Sequence, residues 1–161
     1  MKSKNINLLF VCLGNICRSP AAEGIMKKMI KEEKLDDRVF IDSAGTSNWH
    51  EGRLPDERMQ QHGSKRGYNF NSTARTFRSS DFEKFDYIIV MDTNNYNNVK
   101  KLAITQEDVD KIHRMTDFSI DFSDQDHVPD PYYGGDDGFN FVMDLLEDAA
   151  KGLMKEIKSK L

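Results

Sequence analysis

Cysteine is scarce in this chain: two residues in 161, Cys12 and Cys17, both near the N-terminus. Nothing is left for a disulfide framework, so a reducing compartment is expected, with the cytoplasm as the default location. An excess of either charge is also lacking. The balance of 23 lysines and arginines against 27 aspartates and glutamates leaves −4, which argues against a general nucleic-acid binder. No segment approaches the ~20 apolar residues that span a membrane, so no membrane partner is expected. Lys2 and Lys4 ahead of an apolar stretch outline a secretory signal. Asn7 interrupts that stretch, however, and Val11 rather than a small residue precedes Cys12, so an internal strand is expected. His62 and His113 have no partner at metal-ligand spacing, and neither a metal nor another cofactor is implied. Repeats, low-complexity tracts and linkers are missing as well. With 38% hydrophobic residues the chain reads as one domain over 1–161, large enough to bury a core.

What the chain does have is concentrated in Cys12-Leu13-Gly14-Asn15-Ile16-Cys17-Arg18-Ser19-Pro20. The apolar run Leu8–Val11 leads into it and an amphipathic segment leaves it, which is the pattern of strand, short loop and helix start. A helix N-terminus offers unpaired N–H groups and the positive end of the macrodipole, and so binds anions. Ser19 is expected as N-cap, with Pro20 at the first helical position. Gly14 and Asn15 tolerate the backbone angles of a tight loop whose N–H groups turn inward. Arg18 adds a planar fork of donors matched to two phosphate oxygens. Such surroundings favour a thiolate at Cys12. The stretch reads as an oxyanion cradle with a nucleophilic sulfur at its floor.

Along the rest of the chain, strands are expected at Asn5–Val11, Arg38–Asp42, Phe85–Met91 and, more weakly, Ile112–Phe118. Helices are expected from Ser19 to about Glu33, over Leu54–His62 with Gly63 just past its end, over Asn94–Leu102, and over Gly138–Leu161. Ser80 to Glu83 has capping-box spacing and predicts a short helical turn. Gly63–Arg78 and Asp121–Asp130 read as loops. Strands alternating with helices give an α/β fold with a parallel sheet and right-handed crossovers. Ligands of such sheets sit at the carboxyl ends of the strands, where Cys12, Ser43 and Asp92 fall.

A sulfur attacking phosphorus would form a cysteinyl-phosphate, with Arg18 and the loop N–H groups of Leu13, Gly14, Asn15, Ile16 and Cys17 on the equatorial oxygens. An alkoxide or phenoxide leaving group then needs a proton from a carboxylic acid on the opposite side. Asp130 is the best candidate, because Pro129 and Pro131 limit the backbone around it, although a plain turn aspartate has the same spacing. The neighbouring Tyr132 and Tyr133 could wall a flat ring or anchor the loop to the core.

The N-terminal Val-Cys-Leu-Gly-Asn-Ile-Cys-Arg-Ser-Pro, together with the late Asp-Pro-Tyr-Tyr-Gly, resembles the low-molecular-weight protein tyrosine phosphatases. Asp42-Ser43-Ala44-Gly45, Trp49, Phe85-Asp86-Tyr87 and Met91-Asp92 extend the likeness from about Leu8 to the last helix. The resemblance implies a four-stranded parallel sheet flanked by helices, with the phosphate-binding loop between the first strand and first helix. It also implies metal-independent hydrolysis of phosphotyrosine proteins and aryl phosphates. By the same resemblance Cys12 is the nucleophile, Arg18 the phosphate clamp, and Asp130 the general acid and then base. Ser19 would bond the departing thiolate. Asn15 and Ser43, supported by Glu23, would hold the loop in shape, and Trp49, Tyr132 and Tyr133 would grip the phenol ring. His50 occupies a position that shapes substrate preference, and Ser72 stands where animal members carry a histidine. The family's pair matching Cys12 and Cys17 forms a reversible disulfide under oxidant, and the same is expected here. Two rival activities share this kind of cradle. Thioredoxin-coupled arsenate reductases need further cysteines downstream, which this chain lacks. Protein-arginine phosphatases tend to carry threonine where this chain has Ile16.

Overall fold

The computed structural model describes residues 5–132 and 134–161. Four strands, β1 (Ile6–Cys12), β2 (Val39–Gly45), β3 (Tyr87–Val90) and β4 (Ile112–Arg114), form one parallel sheet in the order β2-β1-β3-β4. β1 is central because both its faces are apolar. Leu8 and Phe10 point into a core shared with the helices α1 (Arg18–Glu32) and α6 (Gly135–Lys160). Leu9 and Val11 point the other way, onto Phe77, Phe82, Phe85 and Val99. That second face is covered by α3 (Asp81–Lys84) and α4 (Thr93–Lys100). Alternate side chains of a strand take opposite faces, so this double burial makes three layers, as the sequence leads one to expect. The chain leaves β1 for β2 on one side and returns to β3 on the other. The crevice at the carboxyl ends of β1 and β3 is therefore the topological switch point where ligands of such sheets bind.

Several boundaries differ from the sequence expectation, each for a local reason. α1 starts at Arg18 with Cys17 as its N-cap, and no side chain caps it. Ser19 sits inside the first turn, because its hydroxyl is engaged by Cys12 and Asn15. β2 runs on to Gly45, where the glycine pairs with Cys12 and bridges Thr76. α2 covers Glu57–Lys65 rather than Leu54–His62, with Asp56 as the capping residue. Gly63 lies within it, packed so closely under Phe70 that an added Cβ would stand 2.4 Å from the ring. Ser80 precedes α3 without capping it, and the Asp81 carboxylate takes the Arg78 N–H instead. The fourth strand is only three residues long. Asp117 accepts the Arg114 N–H at 3.0 Å and turns Met115–Phe118 into a 3-10 turn. α5 (Gln106–Asp110), capped by Thr105 and Asp108, was not anticipated, and α6 starts three residues earlier than its apolar period does.

Candidate active site

Cys12 ends β1 at the floor of a cleft of roughly 290 Å³, and its side chain is buried. The loop that follows lines the cleft with Leu13, Gly14, Ile16 and Cys17, and the first residue of α1, Arg18, completes the floor. Asn15 does not face the cleft. It takes a left-handed conformation (φ 57°) and its amide turns back under the loop. There it donates to Ser19 Oγ at 2.8 Å and to Ser43 Oγ at 3.0 Å, and accepts the Arg75 N–H at 3.0 Å. Ser43 Oγ donates to Glu23 at 2.5 Å, and Lys27 covers the other oxygen of Glu23. Asn15 tolerates this backbone because its short polar side chain bonds locally. Gly14, expected for its backbone freedom, has no such angle. Its need is space, since a Cβ there would lie 2.9 Å from the His50 ring. Ser72 lends no side-chain hydrogen bond to this network among the described residues; the acceptor of Asn15 is met by the Arg75 amide.

Arg18 joins the two ends of the molecule. Its Nη1 donates to Asp92 Oδ2 at 2.6 Å and to the Val128 carbonyl at 2.9 Å, and its Nη2 lies 3.7 Å from Asp130 Oδ2. Burial opposes the guanidinium's charge, but Cys12, Asp92 and Asp130 outweigh it and hold its pKa above the ordinary value. Sequence reasoning noticed Asp92 only as a strand-end residue, and the structure gives it two tasks. It caps α4, accepting the Asn95 N–H at 2.8 Å, and it anchors Arg18. A capping aspartate at the carboxyl end of the strand beside β1 is the signal that would have singled it out. Cys12 Sγ is 3.0 Å from Ser19 Oγ, a hydrogen bond in which either atom can donate. Cys17 is buried and free. Burial pushes its thiol pKa well up, and Asp56, Cys12 and Asp130 add to the rise.

Asp130 lines the same cleft as Cys12, its side chain 42% exposed. Its Oδ1 accepts the Tyr132 N–H at 3.0 Å, which aims the carboxylate into the cleft. Trp49, His50 and Tyr132 wall the mouth, with Trp49 73% exposed. The expected partner Tyr133 lies outside the described residues. Two residues unremarked in the sequence, Asp56 and Arg58, stand behind this lining, the Asp56 N–H on the Ile16 carbonyl and the Arg58 guanidinium on the Tyr132 ring. The Asp56 carboxyl is held below its ordinary pKa: burial opposes this, and the side chain and N–H of Arg58 overcome it. A buried sulfur, a fixed guanidinium and a partly exposed carboxylate around one anion-sized recess make an arrangement suited to in-line transfer of a phosphoryl group.

Comparison with known proteins agrees with this geometry. Residues 7–161 match the family described as low molecular weight phosphotyrosine protein phosphatase. A Synechocystis protein provisionally named a low molecular weight protein-tyrosine-phosphatase is 46% identical over 156 residues, covering 97% of this chain and 99% of its own. Among solved structures, a protein tyrosine phosphatase from Entamoeba histolytica, described with Hepes in the active site, superposes with a TM-score of 0.92. It is 47% identical, over 98% of this chain and 100% of its own. A protein described as Drosophila arginine phosphatase superposes at 0.86 with 32% identity, over 94% and 97% of the two chains.

Proposed function

We propose a mechanism from one premise: the chain belongs to the low molecular weight phosphotyrosine protein phosphatase family. It is a protein-tyrosine-phosphatase, and its substrates are phosphoproteins. In our reading the Cys12 sulfur attacks phosphorus in line, forming the S–P bond as the bond to the phenolic oxygen breaks. Asp130 in its acid form gives its proton to that oxygen. Arg18 and the loop amides hold the equatorial oxygens, where charge is spread in the transition state. Water then attacks the cysteinyl-phosphate. Asp130, now a carboxylate, takes the water's proton, and the sulfur leaves with Ser19 Oγ beside it. Asn15, Ser43 and Glu23 keep the loop in the shape this requires.

The observation that carries this reading is the convergence of Cys12, Arg18 and Asp130 on one cleft from opposite ends of the chain. Preference for phosphotyrosine over phosphoserine follows from depth. Cys12 is 2% exposed at the floor while Trp49 stands at the rim, so a phenyl ester spans the distance and a short alkyl ester does not. Hepes, a sulfonate, in the active site of the Entamoeba relative supports oxyanions as ligands of the cradle. The likeness to the Drosophila arginine phosphatase keeps phosphoarginine as the second substrate class, and Ile16 in the loop favours phosphotyrosine. We place the enzyme in the cytoplasm on its cysteine usage. The Cys12–Cys17 disulfide belongs to the same reading, as a reversible shelter for the nucleophile.

The test is hydrolysis of phosphotyrosine, phosphoserine and phosphoarginine peptides in EDTA, with native protein beside Cys12→Ser. Turnover of phosphotyrosine that survives chelation and is lost in the variant is expected. No turnover of any peptide by reduced native protein would overturn the mechanism.

A further inference from the structure

We propose that Arg58 is a positioning residue for proton transfer: it ties the acid loop to the phosphate loop and so sets where the Asp130 carboxylate points. The proposal rests on the assignment of Asp130 as general acid. Asp130 is held on one oxygen by the Tyr132 N–H at 3.0 Å, while its other oxygen is 3.7 Å from Arg18, beyond hydrogen-bond length. The placement of Tyr132 therefore decides the direction of the carboxylate. The Tyr132 ring lies against the Arg58 guanidinium, 5.2 Å from carbon to centroid, and the same guanidinium lies 4.8 Å from the Phe139 ring of α6. A planar cation between two aromatic rings is a directional contact that a single ammonium group reproduces only in part.

Arg58 is itself fixed. Its Nε and Nη2 donate to the two Asp56 oxygens at 3.1 and 3.0 Å, and its N–H donates to Oδ1 at 2.9 Å. Asp56 is bound in turn to the phosphate loop, its N–H donating to the Ile16 carbonyl at 2.7 Å. An unbroken chain of contacts thus runs from Ile16 through Asp56, Arg58 and Tyr132 to Asp130. Ile16, Tyr132 and Asp130 line the cleft, while Asp56 and Arg58 do not. α2 is also tied to the start of α6 by His62, whose ring stacks on Phe139 and whose nitrogens reach Asp136 and Asn140. Removing the Arg58 guanidinium therefore takes its contact away from the Tyr132 ring while α2 and α6 stay docked through His62.

A misaimed acid has a characteristic kinetic signature. The leaving group departs without its proton, so the rate falls most for phenols of high pKa and least for acidic ones. The experiment measures kcat/KM over a series of aryl phosphates of graded leaving-group pKa for native, Arg58→Leu, Arg58→Lys, Asp130→Asn and the double variant Arg58→Leu/Asp130→Asn. Inhibition by inorganic phosphate is measured for each. Native enzyme should show a shallow dependence and Asp130→Asn a steep one. Arg58→Leu should be steepened toward it, losing about tenfold on phosphotyrosine and about twofold or less on p-nitrophenyl phosphate, a part of the ~10²–10⁴ that a general acid supplies. Phosphate inhibition should be unchanged, Arg58→Lys should recover part of the loss, and the double variant should be no worse than Asp130→Asn. Equal loss on all substrates with a native slope, or full additivity in the double variant, overturns the proposal. If Arg58→Leu does not fold, a native slope in Arg58→Lys overturns it as well. A native slope as steep as that of Asp130→Asn instead overturns the acid assignment, and this proposal with it.

Discussion

Replacing Asn15 by alanine tests the account of the phosphate loop most directly, because the side chain touches nothing in the cleft and all of its work lies beneath it. Three hydrogen bonds are lost, to Ser19, to Ser43 and from the Arg75 amide. At about 1 kcal/mol net each they account for about 3 kcal/mol, and more if the Arg75 N–H finds no new acceptor. The left-handed backbone adds about 1 kcal/mol, since alanine lacks the side chain that makes φ 57° tolerable. The sum, about 4 kcal/mol, is within the ~5–15 kcal/mol of a typical domain, so the variant should fold. Asn15→Gly relieves the strain without restoring the bonds, and its greater unfolded-chain entropy, about 0.4–1 kcal/mol, offsets most of that relief, so it should sit no more than about 0.6 kcal/mol above alanine. Urea unfolding measures these differences, and kcat/KM on phosphotyrosine reads the function. A loop that no longer holds its donors in advance should lose about 10²-fold, the scale of a single misplaced oxyanion donor. Stability within 1 kcal/mol of native, or an unchanged kcat/KM in both variants, would refute the role given to the residue.

Two further outcomes are expected. Asp148, buried on α6, accepts the N–H groups of Ile120, Asp121 and Phe122; burial alone would raise its pKa, and these donors with Lys151 bring it below the ordinary value. Its contribution is therefore full above the usual carboxylate pKa of about 3.9 and lost as pH falls through the lower folded value. Asp148→Asn should cost about 2 kcal/mol at pH 7, and the gap in urea unfolding should narrow below pH ~4; a gap that does not change with pH would count against the reading. Mild peroxide should convert Cys12 to the sulfenic acid, which the Cys17 sulfur then attacks, expelling water and forming the disulfide. Because burial raises the Cys17 pKa, closure should quicken as pH rises above neutrality. Mass spectrometry showing over-oxidised Cys12 without a Cys12–Cys17 link would sink the idea.

How much was legible beforehand depends on the range of the interactions involved. The cradle could be read because strand, loop and helix start are contiguous, although Gly14 and Ser19 serve there for reasons other than those expected. The parallel sheet could be read because Leu8–Val11 and Tyr87–Val90 are apolar on both faces. The N-cap of α1 was misplaced because Ser19 is drawn inward by Asn15 and Cys12, a tertiary pull that outweighs its capping preference. Gly63 was taken for a helix end because its reason for being glycine is the Phe70 ring, several residues on and around a loop. α5 was missed because five residues carry no period, only the Thr105–Asp108 cap. The contacts of Asp92 and Arg58 could not be read because their partners, Arg18 and Tyr132, are distant in sequence and nothing nearby advertises them.

The bond from Arg18 to the Val128 carbonyl joins groups 110 positions apart. Synthesis proceeds from the N-terminus, so Cys12 leaves the ribosome early and Asp130 emerges near the end. The last helix, which carries Phe139, Val142, Leu146 and Leu153 into the main core, comes later still. A chain cut short before residue 128 therefore keeps Cys12 and Arg18 but has neither the Val128 carbonyl nor Asp130 to meet them.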